Sequence, residues 1–212
     1  MVVETTKTGR NKGKKQQIIF EDTIHNDVVD VDSIEEWYTF AFITELYQLG
    51  LIKDFTYQPE SFPLTPKFTY DPATLKDKKL KEAFLFHPHV YTADFMFTVF
   101  LDNEDILKWF KQVFKISQQS LRIDNETQRT VADIWIDVKG TWMHGADSFS
   151  INQKLVFDKH GIYISKFVPK QVFQKLGVPK LATKTPSGRP SKVFGNMKFI
   201  ETHLKEYGIN LS

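Results

Sequence analysis

Four short segments of this 212-residue chain contain charged residues of the types that bind a divalent cation or a phosphate. Glu36 stands near the start of a helical pattern, Asp94 lies in a YTADFMF run, and Asp137 and Lys139 lie in an IDVKG run. Lys154 follows in a QKL segment. Hard cations such as Mg²⁺ take oxygen ligands, and a bound cation can activate water and neutralise charge on a phosphate. The residue types therefore favour metal-dependent hydrolysis of a phosphodiester.

The segment that carries Asp137 and Lys139 has the period of a β-strand with one buried face. Its apolar residues alternate with a second set made up of Asp133, Trp135, Asp137 and Lys139. Because alternate side chains of a strand point to the same face, Asp137 and Lys139 are expected to lie side by side. Asp133 shares that face and could simply be solvated, and Asp137 with Lys139 could be an exposed charge pair of little energetic value.

The segment that carries Asp94 is also predicted to be a strand. Residues 93, 95, 97, 99 and 101 are apolar and form one face, and Asp94 leads the other face. Both faces are rich in apolar residues, so an acidic residue among them needs an explanation. One explanation is a cation ligand, and the alternative is a polar residue on an edge strand.

The helix that carries Glu36 has clear start and stop signals. Ser33 and Glu36 form a capping box, in which the acidic side chain returns to the helix start. Gly50 is a typical stop after Leu49. The predicted helix is apolar nearly all round, so we expect it to be buried in the centre of the fold. The capping box also gives Glu36 a structural role that needs no metal.

Several further elements follow from periodicity and turn residues. We predict strands at 51–58, 61–64 and 162–168, a loop with a short helix at 71–83, and helices at 103–115, 148–157, 170–176 and 191–207. Segment 183–190 is predicted to be a turn-rich linker. The stretch 103–130 separates the two acidic strands and resembles an insertion, which could act as a lid, a DNA-binding element or a protein contact. Trp109 and Phe110 in its helix are expected to pack in the core.

The order of these motifs resembles that of the PD-(D/E)XK nuclease superfamily, especially its phage endonuclease-like and phage-type Holliday-junction-resolvase-like members. The resemblance covers about 33–168. Its motifs correspond to S-x-x-E at Ser33 to Glu36, G-x-I-K-D-x-x-x-Q-P at Gly50 to Pro59, Y-x-x-D-F at Tyr91 to Phe95, D-V-K-G at Asp137 to Gly140 and a K-L-x-F helix at Lys154 to Phe157. It implies a restriction-endonuclease-like core, with a mixed central β-sheet flanked by helices.

The resemblance also implies roles for individual residues. Asp94 and Asp137, with the carbonyl of Val138, would coordinate Mg²⁺ or Mn²⁺, and Lys139 would orient or help to activate the attacking water. Glu36 would complete the metal site or hold a second ion. Gln58 and Lys154 would make auxiliary contacts with phosphate or water.

The composition allows a folded core and excludes several other functions. With 41% apolar and 14% aromatic residues, the chain can fill a core. The absence of cysteine excludes disulfides, thiolate zinc sites and a cysteine nucleophile. There is no run of 18 apolar residues and no apolar segment near the N-terminus, so we expect neither a membrane span nor a secretory signal.

The net charge of +2 conceals basic ends around an acidic middle. Residues 1–17 hold five basic residues against Glu4, and residues 166–206 hold nine against two glutamates, so the remaining residues carry a net charge of −9. Basic segments suit a polyanion such as DNA, although they could also be solvated surfaces. The candidate DNA contacts are Lys12, Lys14, Lys15, Lys184, Arg189 and Lys192.

These inferences predict an α/β (α+β) protein in three parts. A flexible basic arm spans 1–17, a nuclease-like domain spans 18–168, and a basic helical extension spans 169–212. We expect a metal-dependent endodeoxyribonuclease, which the resemblance implies is encoded by a phage and acts in the host cytoplasm. Two alternatives remain: a virion protein, for instance in a head-to-tail connector ring within a phage particle, and a DNA-binding module without catalysis. The long insertion and the charged ends would also suit contacts with other virion proteins or with further copies of the chain.

Overall fold

A mixed α+β architecture is seen in the computed structural model, which describes residues 3–5, 18–22, 24–25, 27–70, 83–116, 121–140 and 146–210. The helices are α1 (Ile34–Gln48), α2 (Glu104–Lys111), α3 (Ala146–His160), α4 (Pro169–Leu176) and α5 (Ile200–Glu206), and a 3-10 helix spans Lys180–Thr183. The strands are β1 (Val3–Thr5), β2 (Ile18–Asp22), β3 (Asp27–Val31), β4 (Ile52–Tyr57), β5 (Phe62–Thr65), β6 (Phe68–Tyr70), β7 (Ala83–Phe86), β8 (His89–Tyr91), β9 (Phe95–Phe100), β10 (Leu121–Ile123), β11 (Thr130–Val138) and β12 (Ile164–Phe167).

A five-stranded mixed sheet forms the centre of the fold. One edge of β11 pairs with β9, which in turn pairs with β4, and both pairings are antiparallel. The other edge of β11 is shared, because β10 pairs with residues 130–132 and β12 runs parallel to residues 135–138. β1, β2 and β3 form a separate antiparallel sheet, and β5–β8 and β6–β7 form two-stranded ladders.

α1 is the central helix of the core, and its boundaries confirm the prediction. Ser33 Oγ accepts a hydrogen bond from the Glu36 N–H at 3.1 Å, and Gly50 adopts a φ of +68° just after the helix. Ten consecutive residues, 37–46, are buried. The main core joins α1, α2, α4 and α5 to the sheet face formed by residues such as Phe97 and Ile136.

The opposite face of the sheet has a smaller core. There Trp135 packs against Phe62 of β5, with ring centroids 5.0 Å apart, and α3 covers the same face through Phe149 and Val156. β11 therefore has apolar layers on both sides. Trp109 and Phe110 of α2 are fully buried, which confirms that they serve packing.

Several predicted boundaries are wrong, including the end of α2, which lies at Lys111 instead of residue 115. The last helix begins at Ile200 instead of residue 191, because residues 191–199 form turns that bury Phe194 against Phe173. α3 begins at Ala146, before the predicted serine caps. The predicted strand through residues 91–101 is broken at 92–94, and Asp94 lies in that break.

Parts of the predicted basic arm and of the predicted loops are outside the described residues. Residues 3–5 of the arm form β1, paired with β2, so the arm is not wholly without structure. Lys12, Lys14, Lys15 and the predicted loop at 71–82 lie outside the described residues. None of the described helices is both long enough and apolar enough to cross a bilayer.

Candidate active site

Asp94 and Asp137 lie close together where two adjacent strands meet. The β9–β11 register pairs Phe95 with Ile136, and the Asp94 N–H also donates to the Ile136 carbonyl, at 3.0 Å, so the ladder is irregular at Asp94. Asp94 Oδ2 accepts a hydrogen bond from the N–H of Val138, the residue after Asp137, at 2.6 Å. The charge of Asp137 is accordingly close enough to act on the Asp94 carboxylate.

Asp94 is held in place by three hydrogen bonds. Besides its bond to Ile136, its carbonyl accepts from the Gln58 N–H at 2.8 Å, and its Oδ2 accepts from the Val138 N–H at 2.6 Å. Gln58 has a φ of +46°, an uncommon conformation for a residue other than glycine. The predicted auxiliary residue Gln58 thus lies beside Asp94, where its backbone fixes the position of the acid.

Burial and neighbouring charges raise the pKa of Asp94 to about 7. Desolvation is the main cause, followed by the negative charge of Asp137, and Glu36 adds to the effect. The hydrogen bond from Val138 and the charge of Lys139 act in the opposite direction. A buried carboxyl with an unfavourable like-charge neighbour is a common feature of functional sites.

Asp137 is 4% exposed and forms an ion pair with Lys139 through Oδ2. The two side chains emerge on the same side of the strand end, as the alternation predicts. The Lys139 ammonium also lies 5.7 Å from the centre of the Phe149 ring of α3. The lysine is therefore positioned between the acidic pair and the helix that covers this face.

Tyr91 is a member of the cluster that the sequence did not point to. Its hydroxyl is buried beside Asp137, and desolvation followed by the charge of Asp137 raises its pKa well above the usual value. Asp137 Oδ2, the oxygen that contacts Lys139, is buried in the same place, and no hydrogen bond of good geometry to the Tyr91 hydroxyl is found among the described residues. A buried hydroxyl of this kind commonly binds ordered water.

Glu36 makes a different set of contacts from those of a metal ligand. Oε1 accepts from Ser33 Oγ at 2.8 Å, and Oε2 accepts from the Asp32 N–H at 3.1 Å and from the Tyr57 hydroxyl at 2.9 Å. Both oxygens thus accept hydrogen bonds from the helix cap or from Tyr57. The charge of Glu36 nevertheless helps to raise the pKa of Asp94. Among the described residues, no group of three His, Asp or Glu side chains is arranged to hold a metal.

The neighbouring residue Glu35 also approaches the site. A Cβ placed on Gly140 would lie 3.4 Å from Glu35 Oε1, so the glycine leaves room for this side chain. The capping pattern directed attention to Glu36, and it contained no signal for Glu35. A search for acidic residues in the whole first turn of α1 would have found both.

The two neighbouring acids fit Mg²⁺ or Mn²⁺. Mg²⁺ usually keeps several waters and binds through one or two carboxylates together with substrate phosphates. Asp94 and Asp137 provide two carboxylates, and Asp137 Oδ2 is buried beside the Lys139 ammonium. A site of three protein carboxylates is not required for this chemistry.

The other predicted residues lie farther from the acids. Lys154 is exposed on α3, and no contact from it to Asp94 or Asp137 is seen among the described residues. Lys184, Arg189 and Lys192 are exposed. Lys184 and Arg189 belong to a compact turn, in which the Thr185 N–H donates to the Arg189 carbonyl at 2.7 Å, and this confirms the predicted turn.

Comparisons of the chain with protein-family models, with curated proteins and with solved structures found no match.

Proposed function

We propose that this protein is a Mg²⁺- or Mn²⁺-dependent deoxyribonuclease built on a restriction-endonuclease-like core of the PD-(D/E)XK type. The observation that carries the proposal is the closeness of Asp94 and Asp137, with Lys139 in contact with Asp137. The acids come from β11 and from the residue before β9, which are far apart in the chain. Their convergence beside an amine is what phosphodiester hydrolysis by a metal ion requires.

Asp94 and Asp137 would hold the cation, and the backbone hydrogen bonds of Asp94 would keep its carboxylate oriented. When bound, Mg²⁺ supplies a Lewis acid and lowers the pKa of the attacking water. The Lys139 ammonium would hold that water or a phosphate oxygen, and its positive charge would favour the charge that develops in the transition state. Glu36 would act by positioning Tyr57 and by adding negative charge near Asp94.

The test is a cleavage assay with purified protein on single-stranded, duplex and branched DNA, in Mg²⁺, Mn²⁺ or EDTA. We expect cleavage with either metal and none in EDTA. Asp137→Asn and Lys139→Ala are expected to lower kcat at least about 100-fold, which is the usual rate contribution of a positioned catalytic group. Glu206→Gln, which removes an exposed carboxylate of α5, is the matched control and should cleave like the wild type.

The proposal fails if the folded wild type leaves all three kinds of DNA intact with both metals. It also fails if Asp137→Asn cleaves as well as Glu206→Gln. The alternative virion role stays a prediction from sequence. Absence of the protein from purified particles, together with a monomeric state in solution, would exclude that role.

A further inference from the structure

A cleft of about 730 Å³ opens at the edge of the central sheet. On this edge of β11, β10 pairs with residues 130–132 and β12 pairs with residues 135–138. The cleft lies at the gap between these two strands. Among the described residues, Asp133 and Ile134 lie between these two ladders on that edge. The end of α2, β10, β11, Phe157 of α3 and the segment before β12 line the opening.

The cleft is basic. Lys111 and Lys115, at and after the end of α2, line it with exposed side chains, and Arg122 of β10 is a third cation. Asp133 is its only acidic lining residue within the described part of the chain, and it accepts two hydrogen bonds from Arg122, at 2.8 and 3.0 Å. The lining therefore carries a net charge of +2, which favours a polyanion.

Aromatic rings are interleaved with these cations. Phe157 lines the opening and is 52% exposed. Tyr163 lies under the Lys115 ammonium, which is 5.0 Å from its ring centre. Trp135 of β11 lines the same opening and is only partly buried. Planar rings beside lysines are the combination that binds exposed nucleobases and their phosphates.

The cleft lies on the strand that carries Asp137. Asp133, Trp135 and Asp137 are alternate residues of β11, so their side chains point to the same face. At about 3.3 Å per residue, Asp133 and Asp137 are roughly 13 Å apart along the strand. The cleft and the acidic pair therefore lie on the same face of β11, and Trp135, which packs against Phe62, lies between them.

We propose that this cleft binds a single-stranded segment of DNA, with its phosphates on Lys111 and Lys115 and its bases against Phe157 and Tyr163. A duplex is a poor occupant, because its bases are stacked on one another and do not present their faces to aromatic side chains. The link to cleavage rests on the proposed function. Together, the two assign the nuclease to substrates that contain a single-stranded region.

The test measures binding without cleavage. A fluorescent oligothymidylate is titrated with full-length protein in EDTA at several salt concentrations, and the same length of duplex serves as a second probe. We expect tighter binding of the single strand. Lys111→Ala/Lys115→Ala should weaken it and reduce the slope of log Kd against log salt by about 1.4, since each phosphate contact to a single strand contributes about 0.7.

Phe157→Ala should raise the Kd for the single strand about 5-fold or more, because base stacking on an aromatic ring is a strong contact. It should leave duplex binding unchanged. Ile151→Ala removes a side chain of α3 that is 56% exposed, and it is the control for truncating an apolar residue on the same helix. Lys170→Ala/Lys205→Ala removes two exposed lysines outside the cleft, and it is the control for loss of charge.

The proposal is overturned if the duplex binds as tightly as the single strand, or if the cleft variants bind like their controls. Inorganic polyphosphate is a further probe. Suppose that polyphosphate displaces the oligonucleotide equally well from the wild type and from Phe157→Ala, and that Phe157→Ala binds oligothymidylate normally. The cleft then recognises charge alone, and the proposed contact of bases with Phe157 is wrong. Cleavage is measured in a separate assay. If the protein never cuts DNA but its binding of the single strand depends on the cleft, the proposed nuclease activity is wrong and the proposed binding site stands.

Discussion

Asp94 lies close to Asp137 where β9 meets β11, because Asp94 Oδ2 accepts a hydrogen bond at 2.6 Å from the N–H of Val138, the residue after Asp137. The two acids are 43 positions apart in the chain and come together only through strand pairing. Asp94 is held by backbone hydrogen bonds from two other elements, at Gln58 and Val138. A like-charge pair fixed in this way is unfavourable without a cation, and this property can be measured.

The first prediction concerns the pH dependence of stability. Because the pKa of Asp94 is raised to about 7 in the folded state, from 3.8, the folded protein binds more protons than the unfolded chain between these values. Stability should therefore fall as pH rises through this window and level off above it. In EDTA, the free energy of unfolding of the wild type should drop by about 3 kcal/mol between pH 5 and pH 8, relative to Asp94→Asn.

Urea denaturation at several pH values checks this prediction. Asp94→Asn keeps the size of the side chain and removes its titration. Parallel pH profiles for the two proteins would show that Asp94 is not the group responsible.

The second prediction concerns metal binding. A ligand that binds only the folded state stabilises it, by about 1.4 kcal/mol at ten times its Kd. Mg²⁺ should raise the Tm of the wild type, and more so at pH 8 than at pH 6, because Asp94 must lose its proton to bind the ion. Thermal melts with and without Mg²⁺ provide the measurement. If Mg²⁺ raises the Tm of Asp94→Asn and of Asp137→Asn as much as that of the wild type, the metal binds elsewhere.

The third prediction separates the structural role of Glu36 from a catalytic one. Ser33→Ala removes the cap of α1 and should lower the free energy of unfolding by about 1 kcal/mol. Glu36→Gln preserves the capping box, so its stability should stay near that of the wild type. If Glu36 only positions Tyr57, the cleavage rate of Glu36→Gln should be less than about 10-fold below that of the wild type. This loss would be far smaller than that of Asp137→Asn. A loss as large as that of Asp137→Asn would make Glu36 a metal ligand.

The fourth prediction concerns His25, which joins β2 to β4. Its ring contacts Asp22 at 2.6 Å and Asp54 at 2.9 Å. Burial alone would lower the pKa of His25, but the hydrogen bonds and charges of Asp54 and Asp22 raise it overall. The protonated ring therefore adds stability below its unfolded pKa of about 6.5, and this contribution is lost as pH rises through the higher folded value.

His25→Gln should flatten the pH dependence of the Tm between pH 6 and pH 8 while leaving metal binding unchanged. Calorimetric scans of the two proteins in EDTA would show the difference. If the two Tm profiles run parallel, the contacts of His25 do not depend on its charge.

The sequence alone determined the features that depend on neighbours in the chain. The capping box at Ser33 and the stop at Gly50 defined α1, since both act within one helical turn. The alternation around Ile136 correctly placed Asp137 and Lys139 on one face, because that rule follows from strand geometry. The same reasoning missed the turns at 191–199, where burial of Phe194 overrides a helical pattern.

Long-range packing brings together groups that are distant in the chain. The approach of Asp94 to Asp137 depends on the pairing of β9 with β11, and the register of two strands is set by contacts that no local pattern contains. The contact of Tyr57 with Glu36 and the burial of Tyr91 beside Asp137 arise in the same way. The basic and aromatic cleft exists because β10 and β12 share one edge of β11, an arrangement that is settled only when the whole chain packs.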